Sequence, residues 1–138
     1  MAEPNHFVVT TSTNQPDLKC KAQHEDSGAT LITAAPVDNN GDGSSFSPTD
    51  LVGVALATCM MTTMAMVAGR KGYDLGEATV RTEKRMSPPP RQIRQLKCTF
   101  DLPAGLTEEQ RAELRRAAEA CPVKRSLDSS VEVLIEFN

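Results

Sequence analysis

A single α+β domain is the fold class this sequence predicts, and three observations carry it. The chain is 138 residues long, inside the ~100–150 residues at which domains cluster. Its composition, 39% hydrophobic and 24% charged, is that of a soluble globular chain rather than a disordered one. Strand-like and helix-like segments follow one another with no internal repeat and no linker, so residues 1–138 are read as one domain.

Residues 7–13 are rich in β-branched side chains and predict a strand. A turn over 14–17 leads into 18–22, where apolar and charged residues alternate, and the two strands predict a hairpin. A third short strand fits 29–33, and 36–45 is a loop dense in Asn, Asp, Gly and Ser. The clearest element starts at Ser47-Pro48-Thr49-Asp50, a capping hydroxyl followed by proline at the first helical position and an acid in the first turn. Residues 51–69 then carry no charge, and Arg70-Lys71-Gly72 supplies cations and a terminating glycine. Nineteen uncharged residues approach the ~20 of a membrane span. Three Thr, two Gly and four Ala weaken that pattern, so a central helix buried in a core or at a subunit interface, and no membrane partner, are expected.

Strands are expected over 77–86 and 93–102, broken by Ser87-Pro88-Pro89-Pro90. In the second, Leu96, Cys98, Phe100 and Leu102 share one face, with Gln95, Lys97, Thr99 and Asp101 on the other. Thr107-Glu108-Glu109-Gln110 is a capping-box signal. Leu106, Ala112, Leu114, Ala117, Ala118 and Cys121 mark an amphipathic helix that Pro122 ends, and 131–137 closes the chain as a strand.

Composition also excludes function classes. Four Phe, one Tyr and no Trp leave little to stack on bases, and a net charge of −3 argues further against nucleic acid. The charge is uneven: residues 1–69 hold seven acids against Lys19 and Lys21, whereas 70–138 hold thirteen Lys/Arg against eleven acids. That pattern reads as a solvated, mixed-sign C-terminal half. The first six residues have neither a basic nor an apolar leader segment, so a cytoplasmic location is expected. Four cysteines there read as thiols, metal ligands or catalysts before disulfides. With no CxxC pair and two His lacking Cys nearby, no metal and no cofactor are expected.

The cysteines separate by context. Cys20 and Cys98 lie on apolar faces of alternating strands and read as small core hydrophobes. Cys59 lies mid-helix among methionines, roughly three turns from the helix start and beyond the reach of its dipole. To be a thiolate it needs a cation and hydrogen-bond donors. Cys121 precedes Pro122 and fits the cap of a short following turn. On residues alone, core packing and redox chemistry both remain open for this pair.

The segments Phe46-Ser47-Pro48-Thr49-Asp50-Leu51 and Ala55-Leu56-Ala57-Thr58-Cys59 are followed some sixty residues later by Cys121-Pro122-Val123-Lys124-Arg125-Ser126-Leu127. In this order the combination resembles the OsmC/Ohr family, over nearly the whole chain from Ser27-Gly28 onward. The resemblance implies antiparallel sheets wrapped around long central helices in an intertwined homodimer, with active sites at the subunit interface. It implies reduction of small organic hydroperoxides, with electrons drawn from a dithiol or a lipoylated protein. It makes Cys59 the peroxidatic cysteine and Cys121 the resolving one, passing through a Cys59 sulfenic acid and a Cys59–Cys121 disulfide.

Two positions depart from the organic-hydroperoxide-resistance branch. Thr49 follows Pro48 where that branch has Glu, and His24-Glu25-Asp26-Ser27-Gly28 has no Arg where that branch places one. Arg91, with Arg94 three residues on, is the candidate substitute cation. Asp50 is the candidate to orient an arginine, beside its plainer role as a first-turn helix acid, and His24 is a weaker candidate. The alternative function is a non-enzymatic redox-sensing or small-molecule-binding dimer.

Overall fold

The computed structural model describes residues 7–138. Residues 1–6, where no leader is expected, lie outside the described residues. The chain divides into two compact units whose boundary falls between Leu51 and Val52.

In the first unit β1 (Thr10–Gln15), β2 (Lys19–His24) and β3 (Thr30–Ala34) form an antiparallel sheet in that order. The expected hairpin forms, but its first strand is shifted: 7–9 lie outside it, while Asn14 and Gln15 extend it. Pro16 has no N–H to give the ladder, and the chain turns over Pro16, Asp17 and Leu18, the last two at φ 66° and 60°. Cys20 is half-buried, which corrects its placement in a core. Alternation identifies a face, but it does not supply a layer to cover it.

The first unit ends in the start of α1 (Pro48–Arg70). Ser47 Oγ accepts the Asp50 N–H at 3.1 Å and the Asp50 carboxylate accepts the Ser47 N–H at 2.8 Å, satisfying two backbone donors reciprocally. At its other end Gly72, at φ 82°, takes the left-handed position. Tyr73 N–H donates to Ala68 O and Gly72 N–H to Gly69 O, at 3.0 and 3.2 Å, which closes the helix.

The second unit holds β4 (Thr79–Met86), β5 (Ile93–Asp101) and β6 (Glu132–Phe137), with β5 central. β4 and β5 are antiparallel, but β5 and β6 are parallel. The expectation of purely antiparallel sheets is therefore corrected to one antiparallel and one mixed sheet. The reason is the crossover through α2 (Glu108–Glu119) and α3 (Pro122–Ser126), which returns the chain to the starting end of β5. Pro122 thus opens a helix, and Leu106 and Cys121 lie outside α2. The predicted capping box is present, with Gln110 N–H donating to Thr107 Oγ1 and Thr107 N–H to Gln110 Oε1.

The core of this unit is α1 on β5. Leu56, Met60 and Met64, spaced three to four residues apart, are fully buried with Leu96, Cys98 and Phe100. Arg111 and Arg115 fasten α2 to the edge strand, donating to Asn138 O and Ile135 O and lying over the Phe137 ring. A sheet covers only one side of a helix, so within the single chain α1 is buried along one stripe and not all round. Val54, Ala55, Thr58, Ala65, Met66 and Gly69 are exposed. By length and composition α1 also suffices to cross a membrane, with mean hydropathy 1.9, but its buried stripe is the core of this unit.

Cys98 and Cys20 therefore predict different costs. Cys98→Ser places a hydroxyl in the core at a cost of about 1 kcal/mol, the low end for a buried polar group. Thr82 Oγ1, 3.8 Å from the Cys98 sulfur, is at hand as its partner. Cys20→Ser, on a half-covered strand, should cost less. Urea denaturation midpoints of the two variants check this; equal losses would contradict it.

Candidate active site: a groove cysteine beside a buried one

Cys59 projects from the middle of α1, where it is half-buried. Cys121 caps α3 and is fully buried. The fold of the second unit sets the Cys59 and Cys121 side chains beside one another. All four cysteines are free thiols. Burial pushes the Cys121 thiol above its ordinary value; the Lys124 N–H, donating to its sulfur at 3.4 Å, acts the other way, and the adjoining Cys59 adds to the rise. Cys121 is thereby held as a neutral thiol.

The sulfur of Cys59 opens onto a groove of about 570 Å³. Ala55, Thr58, Thr62, Thr63 and Met66 of α1 line it with Cys59, together with Pro122 of α3. Apart from the threonine hydroxyls and the thiol, these are apolar groups. Sequence reasoning picked out the two cysteines and missed the rest of the lining. The signal was there: positions four before and three, four and seven after Cys59 fall on one helical face.

The other candidates are placed as follows. Asp50 is in the capping box with Ser47, nine residues before Cys59 on the same helix. Arg91 is exposed, two residues before β5 begins, in a connection tightened by Ser87 bonding to Pro90 O and Gln92 N. His24 Nδ1 is 2.6 Å from Ser27 Oγ and belongs to its own turn. Among the described residues, no group of three or more His, Cys, Asp or Glu is placed to hold a metal ion.

Comparison with known proteins gives this geometry its context. The model of the family described as OsmC-like protein matches residues 41–136. A protein of Psychrobacter arcticus, named for osmotic-stress induction and a detoxification response, is 30% identical with a TM-score of 0.92. That match covers 97% of this chain and 98% of the other. The organic hydroperoxide resistance protein OsmC of Legionella pneumophila superposes with a TM-score of 0.78 at 17% identity over 99% of each chain. A Vibrio cholerae protein named for organic hydroperoxide resistance, with captopril in one of its active sites, gives 0.76 at 20% identity over 99% of this chain and 96% of that one. The latter two likenesses show the fold alone. No curated protein matches the chain. With a family model spanning most of its length and a relative at 30% identity over nearly all of it, the chain belongs to the OsmC-like protein family.

Proposed function

We propose that this protein is a thiol peroxidase that reduces organic hydroperoxides with Cys59 as the attacking sulfur and Cys121 as the resolving one. The observation that carries this reading is the meeting of two free thiols distant in sequence, with Cys59 lining a groove and Cys121 buried beside it. Cys59 thiolate attacks the terminal peroxide oxygen, the O–O bond breaks, and an alcohol leaves once its alkoxide takes a proton. Cys121 then attacks the sulfenic sulfur, expelling water and forming the disulfide, which an external dithiol or lipoylated protein reduces. In this reading Arg91 supplies the cation that favours the thiolate, and Asp50 positions it in addition to capping α1. The apolar lining favours an organic substituent over hydrogen peroxide. Four free thiols suit a reducing, cytoplasmic compartment. Both units act as one domain, since the family match runs across their boundary.

Turnover of cumene hydroperoxide with a dithiol reductant, faster than turnover of hydrogen peroxide, is the expected result. Oxidation of Cys59 without turnover would favour a redox sensor instead.

The working form is a homodimer. The exposed side of α1 is uncharged from Leu51 to Gly69, and a second copy removes that surface from water. Interfaces of this apolar kind bury upward of ~2,000 Å². Sedimentation at micromolar concentration should return a dimer, and Ala65→Glu should dissociate it. A folded wild-type monomer under those conditions would refute the assignment.

A further inference from the structure

Three threonines of α1 line the groove, and two have committed their hydroxyls to the helix. Thr58 Oγ1 donates to Val54 O at 2.7 Å and Thr63 Oγ1 to Cys59 O at 2.8 Å, the usual back-bond of a helical threonine. Thr62 makes no such bond: among the described residues its hydroxyl has no hydrogen-bond partner within the protein, and the residue is exposed in the groove. It lies three residues after Cys59, so the two side chains share a face with Cβ atoms about 5–6 Å apart. Helical side chains tilt toward the N-terminus, which leans Thr62 back over Cys59. An oxygen poised at the Cys59 sulfur therefore has an uncommitted O–H beside it.

We infer that Thr62 is a catalytic residue, donating its hydroxyl hydrogen bond to the peroxide oxygen that gathers negative charge as the O–O bond breaks. This rests on the reading of Cys59 as the attacking sulfur. In the step, the S–O bond forms at the terminal oxygen and the electron pair of the O–O bond goes to the inner oxygen. Thr62 stabilises that developing alkoxide, and solvent supplies the proton that completes the alcohol. Threonine stays protonated throughout, because its role is donation and not proton transfer. A donor aimed where charge develops lowers the barrier more than it tightens ground-state binding.

The test is the second-order rate of Cys59 oxidation by cumene hydroperoxide in single turnover. Thr62→Val keeps shape and removes the donor, and should slow oxidation by about tenfold or more, as the loss of a single donor to developing charge does. Thr62→Ser restores the hydroxyl and should recover the rate to within about threefold. Alkylation of Cys59 by iodoacetamide, which has no O–O bond, should change by less than about twofold in Thr62→Val. An unchanged oxidation rate in Thr62→Val overturns the inference. So does an equal fall in alkylation, which would place the hydroxyl on the thiol rather than on the peroxide. Failure of wild-type Cys59 to react with the peroxide at all would remove the underlying reading, and is seen separately in the wild-type control.

Discussion

Replacing Cys59 with serine is expected to abolish both the single-turnover burst and the steady-state reduction of organic hydroperoxide, a loss on the order of 10³ or more. A hydroxyl is a far weaker nucleophile than a thiolate near neutral pH, and no sulfenic acid can form at that position. The fold should survive: Cys59 is only half-buried, and the stripe that holds α1 down is Leu56, Met60 and Met64. Circular dichroism of the variant should therefore match the wild type while stopped-flow traces go flat. Equal first-turnover rates for the variant and wild type would return Cys59 to the status of a packed thiol.

Local rules made parts of this molecule legible from sequence, and the failures share one cause. The start of α1 was readable because Ser47, Pro48 and Asp50 act within one turn, as were the capping box at Thr107 and the buried face of β5. The parallel pairing of β6 was not readable, because direction depends on where the crossover through α2 and α3 delivers the chain. Cys20 and Cys98 show the same point: both sit in alternating strands, but Cys98 is buried in the core with α1 whereas Cys20 is half-buried. For α1, a stretch without charge shows that more apolar surface is present than one chain covers, but offers no polar side from which to read which face is left open. The candidate site divides likewise. Cys59 and Cys121 could be named from motifs, whereas their nearness needs the packed second unit. Thr62 and Met66 follow from helical spacing only once Cys59 is chosen as the origin.

Cys121→Ser should fail in a different way, leaving the first chemical step intact and stranding its product. The variant keeps its local structure, since a serine oxygen accepts the Lys124 N–H that the sulfur accepts now. Cys59 should still react once with peroxide, but its sulfenic acid then has no neighbouring thiol to condense with. A sulfenic-specific probe should trap it, and excess peroxide should drive it on to the sulfinic acid, which the dithiol does not reverse. In the wild type, the attacking species is the Cys121 thiolate, and burial holds that thiol above its ordinary value. Below that raised value the thiolate fraction grows about tenfold per pH unit, so disulfide closure should quicken as pH rises through and past the usual thiol range. The sulfenic acid should then persist longest in the wild type at mildly acidic pH, where it imitates the Cys121→Ser protein. Mass spectrometry after equal peroxide doses at two pH values measures both effects. A Cys121→Ser protein whose Cys59 stays unmodified, or wild-type closure that is flat with pH, would show that Cys121 does not resolve Cys59.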